Sequence, residues 1–114
     1  MYRSDFSIAD RISIVSDEIS EDFTVASMVA NKLFIKNFEL RKFIEGRIPD
    51  VSAFTLKSLL DKKNQFNYTY TLISPGYFKH CLSDKNKTEH QINKIHTCID
   101  LAKKLDAKFI SVFT

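Results

Sequence analysis

Glycine and proline are scarce in this chain, with two of each among 114 residues. With Gly46 and Gly76 thirty residues apart, neither a G-x-G-x-x-G turn nor a Walker loop can be drawn, which excludes the backbone cradles that hold nucleotide phosphates. Cysteine is limited to Cys81 and Cys98, so there is no disulfide framework and no thiolate set for a cluster; both read as reduced thiols. No apolar run approaches the ~18 residues of a membrane helix. The opening segment carries Arg3, Asp5, Asp10 and Arg11, charges that the apolar core of a signal peptide does not tolerate. The chain is therefore expected in the cytoplasm, with no membrane partner. A nucleophile elbow, internal repeats and low-complexity linkers are absent as well.

What remains is an ordinary globular composition, 44% hydrophobic and 27% charged, in a length that fits one domain over residues 1–114. The formal charge of +3 comes from lysines scattered along helix patterns (Lys57, Lys62, Lys63, Lys94, Lys103, Lys104). Nucleic-acid grooves favour clustered arginines, so no nucleic-acid partner is expected.

Hydrophobic periodicity organises the chain as an α/β fold. Apolar or β-rich runs near residues 11–15, 37–41, 68–73 and 108–113 read as strands. Between the first two, Ser20 reads as a helix cap with Glu21 and Asp22 in the first turn, and Ala26, Val29, Ala30 and Leu33 recur at the spacing of one buried face. A second helix is expected from Ser52, with Leu56, Leu59 and Leu60 turned inward. In the third, Thr88 and Gln91 have capping-box spacing, and Ile92, Ile95, Ile99, Ala102 and Leu105 form the stripe. About four strands alternating with three helices describe half of a closed TIM barrel: a (βα) half-barrel. In that fold the loops leaving the strands carry the chemistry, and here they are the long ones, residues 42–51 and 74–87.

Three places along these loops hold candidate substrate-binding residues. Glu39 and Arg41 are alternate residues of one strand and share a face, as an acid and an anion clamp or as a structural ion pair. Asp17 and Glu18 can orient substrate hydroxyls or simply lead into the first helix. After the third strand, Ser74, Tyr77 and Lys79 flank a Pro75-Gly76 turn; an aromatic ring and an ammonium suit a sugar face and an anion, or a packed surface loop. His80, Cys81, His90, His96 and Cys98 have zinc-ligand chemistry, but His90 and His96 diverge by about 240° around a helix, which argues against a site.

Ser16-Asp17-Glu18-Ile19-Ser20, Phe38-Glu39-Leu40-Arg41, Ser74-Pro75-Gly76-Tyr77-Phe78-Lys79 and the run from Leu101 through Ile110 stand in one order and register. Together they resemble the amino-terminal half of the xylose-isomerase-like TIM barrels, in the sugar phosphate isomerase/epimerase group. The resemblance covers residues 11 to 114, against the roughly 250 residues of a whole barrel. It implies metal-dependent proton transfer next to a sugar carbonyl, on a small-molecule sugar or sugar phosphate, with Mn, Mg or Zn bound by a full-length member. It also implies that the metal ligands sit on later strands, so no cofactor and no metal ligand are expected in this chain, and catalysis by the chain alone is not expected. Where the family places glycines at helix-to-strand turns, this chain has Phe34 and Asp106. The other reading is a non-catalytic half-barrel remnant or an open flavodoxin-like sheet that binds ligands or oligomerises. Unpaired edges on four parallel strands lead us to expect a homodimer or higher homo-oligomer.

Overall fold

A computed structural model describes residues 8–79 and 83–113. His80 and Cys81 thus lie outside the described residues. A short 3-10 turn, Ile8–Arg11, leads into strand β1 (Ser13–Val15), followed by a single-turn helix α1 (Ser16–Ile19) and helix α2 (Phe23–Lys32). Then come β2 (Asn37–Leu40), a two-residue hairpin of β3 (Lys42–Phe43) and β4 (Gly46–Arg47), α3 (Ala53–Phe66), β5 (Thr69–Ile73), α4 (Lys85–Leu105) and β6 (Phe109–Ile110). Strands β1, β2, β5 and β6 form one parallel sheet in that order, which is their order along the chain. Every crossover therefore steps to the next strand in the same direction. Right-handed connections then carry all the helices to one face of the sheet. The reversal of direction that defines flavodoxin-like sheets is absent from the described strands.

Alternation within the strands decides which face meets the helices. Phe38 and Leu40 are fully buried, while Asn37 and Glu39 between them are only half-buried. Phe38 sits edge-on to Phe23 of α2 at 5.3 Å and to Tyr68 at 4.7 Å, spacings at which aromatic pairs add to their area burial. The two tyrosines of the third strand region bury rings and satisfy their hydroxyls. Tyr68 donates to Asn31 Oδ1 at 2.6 Å, and Tyr70 donates to the Leu59 carbonyl at 2.5 Å, so each ties the sheet to a helix. Burial raises the Tyr70 hydroxyl well above the usual phenol range, which keeps it a donor.

The helices begin and face slightly differently from the sequence expectation. Asp22, not Ser20, caps α2, accepting from Thr24 N–H at 2.9 Å, while the Ser20 hydroxyl accepts from Asp22 N–H. Because α2 opens on Phe23, its buried stripe is Phe23, Ala26, Ser27 and Ala30; Val29 and Leu33 are exposed. Helix α3 starts as expected, with Ser52 accepting from Thr55 N–H, and Leu59 is fully buried. Helix α4 begins three residues before Thr88, because Asp84 caps it by accepting from Lys87 N–H. Gln91 is thereby freed from capping and its side-chain oxygen accepts from Phe78 N–H at 2.8 Å, which holds the loop after β5. The α4 stripe consequently centres on Cys98, Leu101, Ala102 and Leu105, and Ile92 is exposed. Phe34 and Asp106 occupy the left-handed region at φ 60° and 56°, where a glycine would carry no Cβ penalty.

Among the described residues no helix is long and apolar enough to cross a membrane.

Candidate functional site

The carboxyl ends of β1, β2 and β5 lie side by side, and each delivers a polar side chain to one cluster. Parallel pairing does this directly: Val15 is opposite Glu39, Glu39 opposite Leu72, and the Ser74 N–H extends the ladder by donating to the Leu40 carbonyl. Asp17 follows β1 by two residues and Arg41 follows β2 by one. Arg41 grips Asp17 with Nε donating to Oδ1 at 3.2 Å and Nη2 to Oδ2 at 2.6 Å, the forked geometry that makes guanidinium–carboxylate pairs strong. Nη2 also donates to Glu18 at 3.0 Å, and these carboxylates hold Arg41 more firmly protonated than usual, its hydrogen bond to Asp17 contributing most. Asp17 is 7% exposed and Glu18 67%, so the first is a built-in partner and the second a solvent-facing one.

Glu39 and Arg41 do not pair with each other: Arg41 bonds Asp17 and Glu18. Among the described residues Glu39 makes no hydrogen bond or ion pair and is half-buried on the sheet face away from the helices. Such a carboxylate is free to accept a hydroxyl or a proton from a ligand.

The loop after β5 separates its expected contributors. Ser74 joins the cluster. Tyr77 does not: it is 7% exposed, packed in the core with its hydroxyl beside the Cys98 thiol, a poor partner that leaves no satisfying hydrogen bond. This corrects the expectation that Tyr77 presents a ring to substrate, and the cause is α4, whose buried stripe needs an aromatic cover at Cys98. Burial raises both the Tyr77 hydroxyl and the Cys98 thiol, which makes the thiol inert. Lys79 is exposed, with its ammonium 4.7 Å from the centre of the Phe113 ring just past β6.

One member of the cluster was not singled out from the sequence. Arg47 lies across the small hairpin from Lys42, and its Nε donates to the Ser74 carbonyl at 3.1 Å while Nη2 reaches the Ser74 hydroxyl at 3.4 Å. Its guanidinium lies directly on Gly76: a Cβ at that position would stand 2.7 Å from Cζ. Gly76 has φ +78°, so both the turn and the guanidinium require glycine there. The signal available was the Gly46-Arg47 pair itself, since a glycine shortly after a short apolar strand marks a turn that can send its neighbour back toward the strand end.

A groove of about 270 Å³ is lined instead by Phe23, Phe43, Ile44, Glu45, Phe54 and Ser58 among others. Its acidic groups are already in use. Glu45 accepts from the Ser52 N–H and from the Ser52 and Thr55 hydroxyls at the start of α3, which lowers its carboxyl to about 2; Asp22 caps α2; and Glu21 pairs with Lys42 at 3.1 Å. Of the two, the strand-end cluster is the better candidate, because it retains charged groups without carboxylate or cation partners among the described residues. No three His, Cys, Asp or Glu side chains of the described residues converge as metal ligands, so those residues do not by themselves form a metal site.

Comparison with known protein families, with curated proteins and with solved structures finds no match to this chain.

Proposed function

We propose that this chain is the amino-terminal half of a xylose-isomerase-like βα barrel, and that the carboxyl ends of its strands form one wall of a pocket for a sugar or sugar phosphate. The observation that carries this reading is a contact on the open face of the sheet. The Ser13 hydroxyl of β1 meets the Thr71 hydroxyl of β5 at 3.0 Å, over the intervening β2, and Thr71 also donates to the Phe38 carbonyl of β2. Side chains of alternate strands meet in this way when a sheet is curled with that face inward, as in the stacked layers of a barrel interior. A bulge in the β2–β5 pairing at Phe38/Glu39 adds to the curl, and the uninterrupted strand order is that of a singly wound barrel.

In this reading the loops at the strand carboxyl ends bind substrate. Glu39 accepts a sugar hydroxyl, and the Arg41–Asp17 pair fixes the wall so that Glu18 and Ser74 face the ligand. The resemblance makes the reaction an isomerisation or epimerisation, a proton moved between carbons beside a carbonyl, in the cytoplasm. The metal for that chemistry is held by other strands, and this chain alone turns over no ketose with added Mn²⁺ or Mg²⁺. The test is calorimetric titration of the 114-residue chain with a neutral ketose and with its phosphate ester. Binding is expected, weakened by roughly 1.5–3 kcal/mol in Glu39→Gln, the usual cost of losing a charged hydrogen bond. Absence of binding to both sugars, or turnover by the chain alone, overturns the reading.

A second reading, a self-associating half-barrel, rests on a separate observation. Apolar side chains stand exposed next to both edge strands: Ile12 at 40% before β1, and Phe109 at 66% and Phe113 at 41% on and after β6. Edge strands with exposed apolar residues pair with further strands. For the chain studied alone these come from a second copy, so light scattering at micromolar concentration is expected to give at least twice the 13.2 kDa chain mass. A well-folded monomer would contradict this.

A further inference from the structure

We propose that Arg47, seated on Gly76, is the anchor for the phosphoryl group of an anionic ligand; the assignment rests on the pocket reading above and specifies its substrate class. Two arginines stand at the carboxyl ends of the strands, and their circumstances differ. Arg41 is charge-paired with Asp17 and Glu18 through Nε and Nη2. Arg47 is half-buried, and among the described residues it has no carboxylate partner: its only bonds are to the neutral oxygens of Ser74. Those bonds use Nε and one Nη2 hydrogen. A guanidinium has five N–H donors, so the Nη1 edge and the second Nη2 hydrogen remain for a ligand.

The surroundings favour an anion at that edge. Burial of Arg47, and then the nearby Arg41, act against its positive charge, while Asp17 favours it. An anion entering there relieves the desolvation and the like-charge repulsion together. The position is also fixed in advance. The guanidinium plane rests on Gly76, where any Cβ would displace it, and the two bonds to Ser74 set its rotation about the last torsion. A planar fork held in one orientation matches the paired oxygens of a phosphoryl group. Ser74 and Gly76 follow β5 and Arg41 follows β2, so the anion sits at the carboxyl ends of the strands, where substrate is expected.

The experiment is thermal unfolding of the intact chain in inorganic phosphate and in chloride at matched ionic strength, for wild type, Arg47→Gln, Arg47→Lys and, as a control on an exposed helix lysine, Lys104→Gln. Phosphate stabilises many proteins by exclusion from their surface, so the informative quantity is the phosphate increment of each variant relative to wild type. At a phosphate concentration tenfold above its dissociation constant, a specific site adds about 1.4 kcal/mol, a shift of several degrees for a domain of this size. That increment is expected in wild type and Lys104→Gln, lost in Arg47→Gln, and reduced in Arg47→Lys, which keeps the charge but loses the fork. Acetate in place of phosphate is expected to give a smaller increment; an equal one would assign the site to carboxylates and overturn the phosphoryl assignment. If Arg47→Gln is less stable than wild type yet keeps its full phosphate increment, Arg47 only clamps the loop and the proposal fails. If Arg47→Gln does not fold, Arg47→Lys decides by the same criterion. Binding of the neutral ketose without any phosphate increment in wild type overturns this inference while leaving the pocket reading in place; loss of both overturns both.

Discussion

The two faces of the parallel sheet are built from the same strands and do opposite things. Toward the helices, Phe38, Leu40 and Tyr70 are fully buried, and the polar atom among them, the Tyr70 hydroxyl, is satisfied by a helix carbonyl. On the other face Ser13, Asn37, Glu39 and Thr71 are half-buried and polar, their side chains bonded to one another or to backbone carbonyls, with Glu39 left over. Strand alternation makes the division possible, because successive side chains point to opposite sides. The difference teaches where specificity of fold and capacity for chemistry are stored. The aromatic face is covered by this chain's own helices, whereas the hydroxyl and carboxylate face leaves the Glu39 side chain without a partner among the described residues.

The largest expected effect tests that division directly. Phe38→Ala removes a ring in edge contact with Phe23 and Tyr68, and is expected to cost about 3–5 kcal/mol in urea denaturation. Asn37→Ala, one residue away on the other face, loses hydrogen bonds from its amide to the Asp10 and Ile12 carbonyls and is expected to cost about 1 kcal/mol. Equal costs would mean that the open face carries as much of the fold as the helix face, and the comparison would break.

Much of the helix face was legible in the sequence, because burial there follows simple periods. Leu59, Ala26, Ala30, Ala102 and Leu105 all fall on stripes that the spacing marks out. The departures arise where a nearby aspartate caps the helix and so sets a different first residue. Asp22 displaces Ser20 as a cap, Asp84 displaces Thr88, and the stripe of α2 turns with its new start. The site was legible in part. Asp17, Glu18, Arg41 and Ser74 come together because each lies just beyond a strand, which a linear reading can see. Arg47 could not be placed that way, since its position depends on a hairpin only two residues deep and on the lack of a Cβ at Gly76. Tyr77 was misassigned for the converse reason: an aromatic beside a turn reads the same whether its ring covers a sugar or a cysteine.

A smaller effect of opposite sign is expected at the turn between α2 and β2. Phe34 holds φ 60° and is 78% exposed, so its ring contributes little while its Cβ is strained. Left-handed backbone costs a residue with a Cβ roughly 1–2 kcal/mol, and glycine returns part of that through the greater freedom of the unfolded chain. Phe34→Gly should therefore raise stability by about 0.5–1 kcal/mol without changing ligand affinity, because only the helix side of the sheet is altered. Asp106→Gly should gain less, since aspartate tolerates the left-handed region better than phenylalanine does. A destabilised Phe34→Gly would show that the exposed ring is covered in solution, and self-association would be the first cause to check.

The smallest expected effect concerns the hairpin that carries Arg47. Glu45 lies between β3 and β4, and hydrogen bonds from the Thr55 and Ser52 hydroxyls lower its carboxyl from the ordinary 4.5 to about 2. A carboxylate whose folded value is depressed binds its proton more readily in the unfolded chain, so it adds stability above pH 4.5 and gives it up as pH falls toward 2. Glu45 is solvent-exposed, and screening limits the contribution to roughly 1 kcal/mol or less. Stability measured from pH 6 to about 2 should fall less steeply in Glu45→Gln than in wild type, the two curves converging at the acid end. Because Glu45 anchors the hairpin tip to the start of α3, its protonation also loosens the segment that sends Arg47 to Ser74. The phosphate increment should then decline with Glu45 titration in wild type and be lower in Glu45→Gln already at about pH 6. Parallel stability curves for the two proteins would show that the hairpin is held by its backbone pairing alone, and that the anion site on the open face is independent of the helix face behind it.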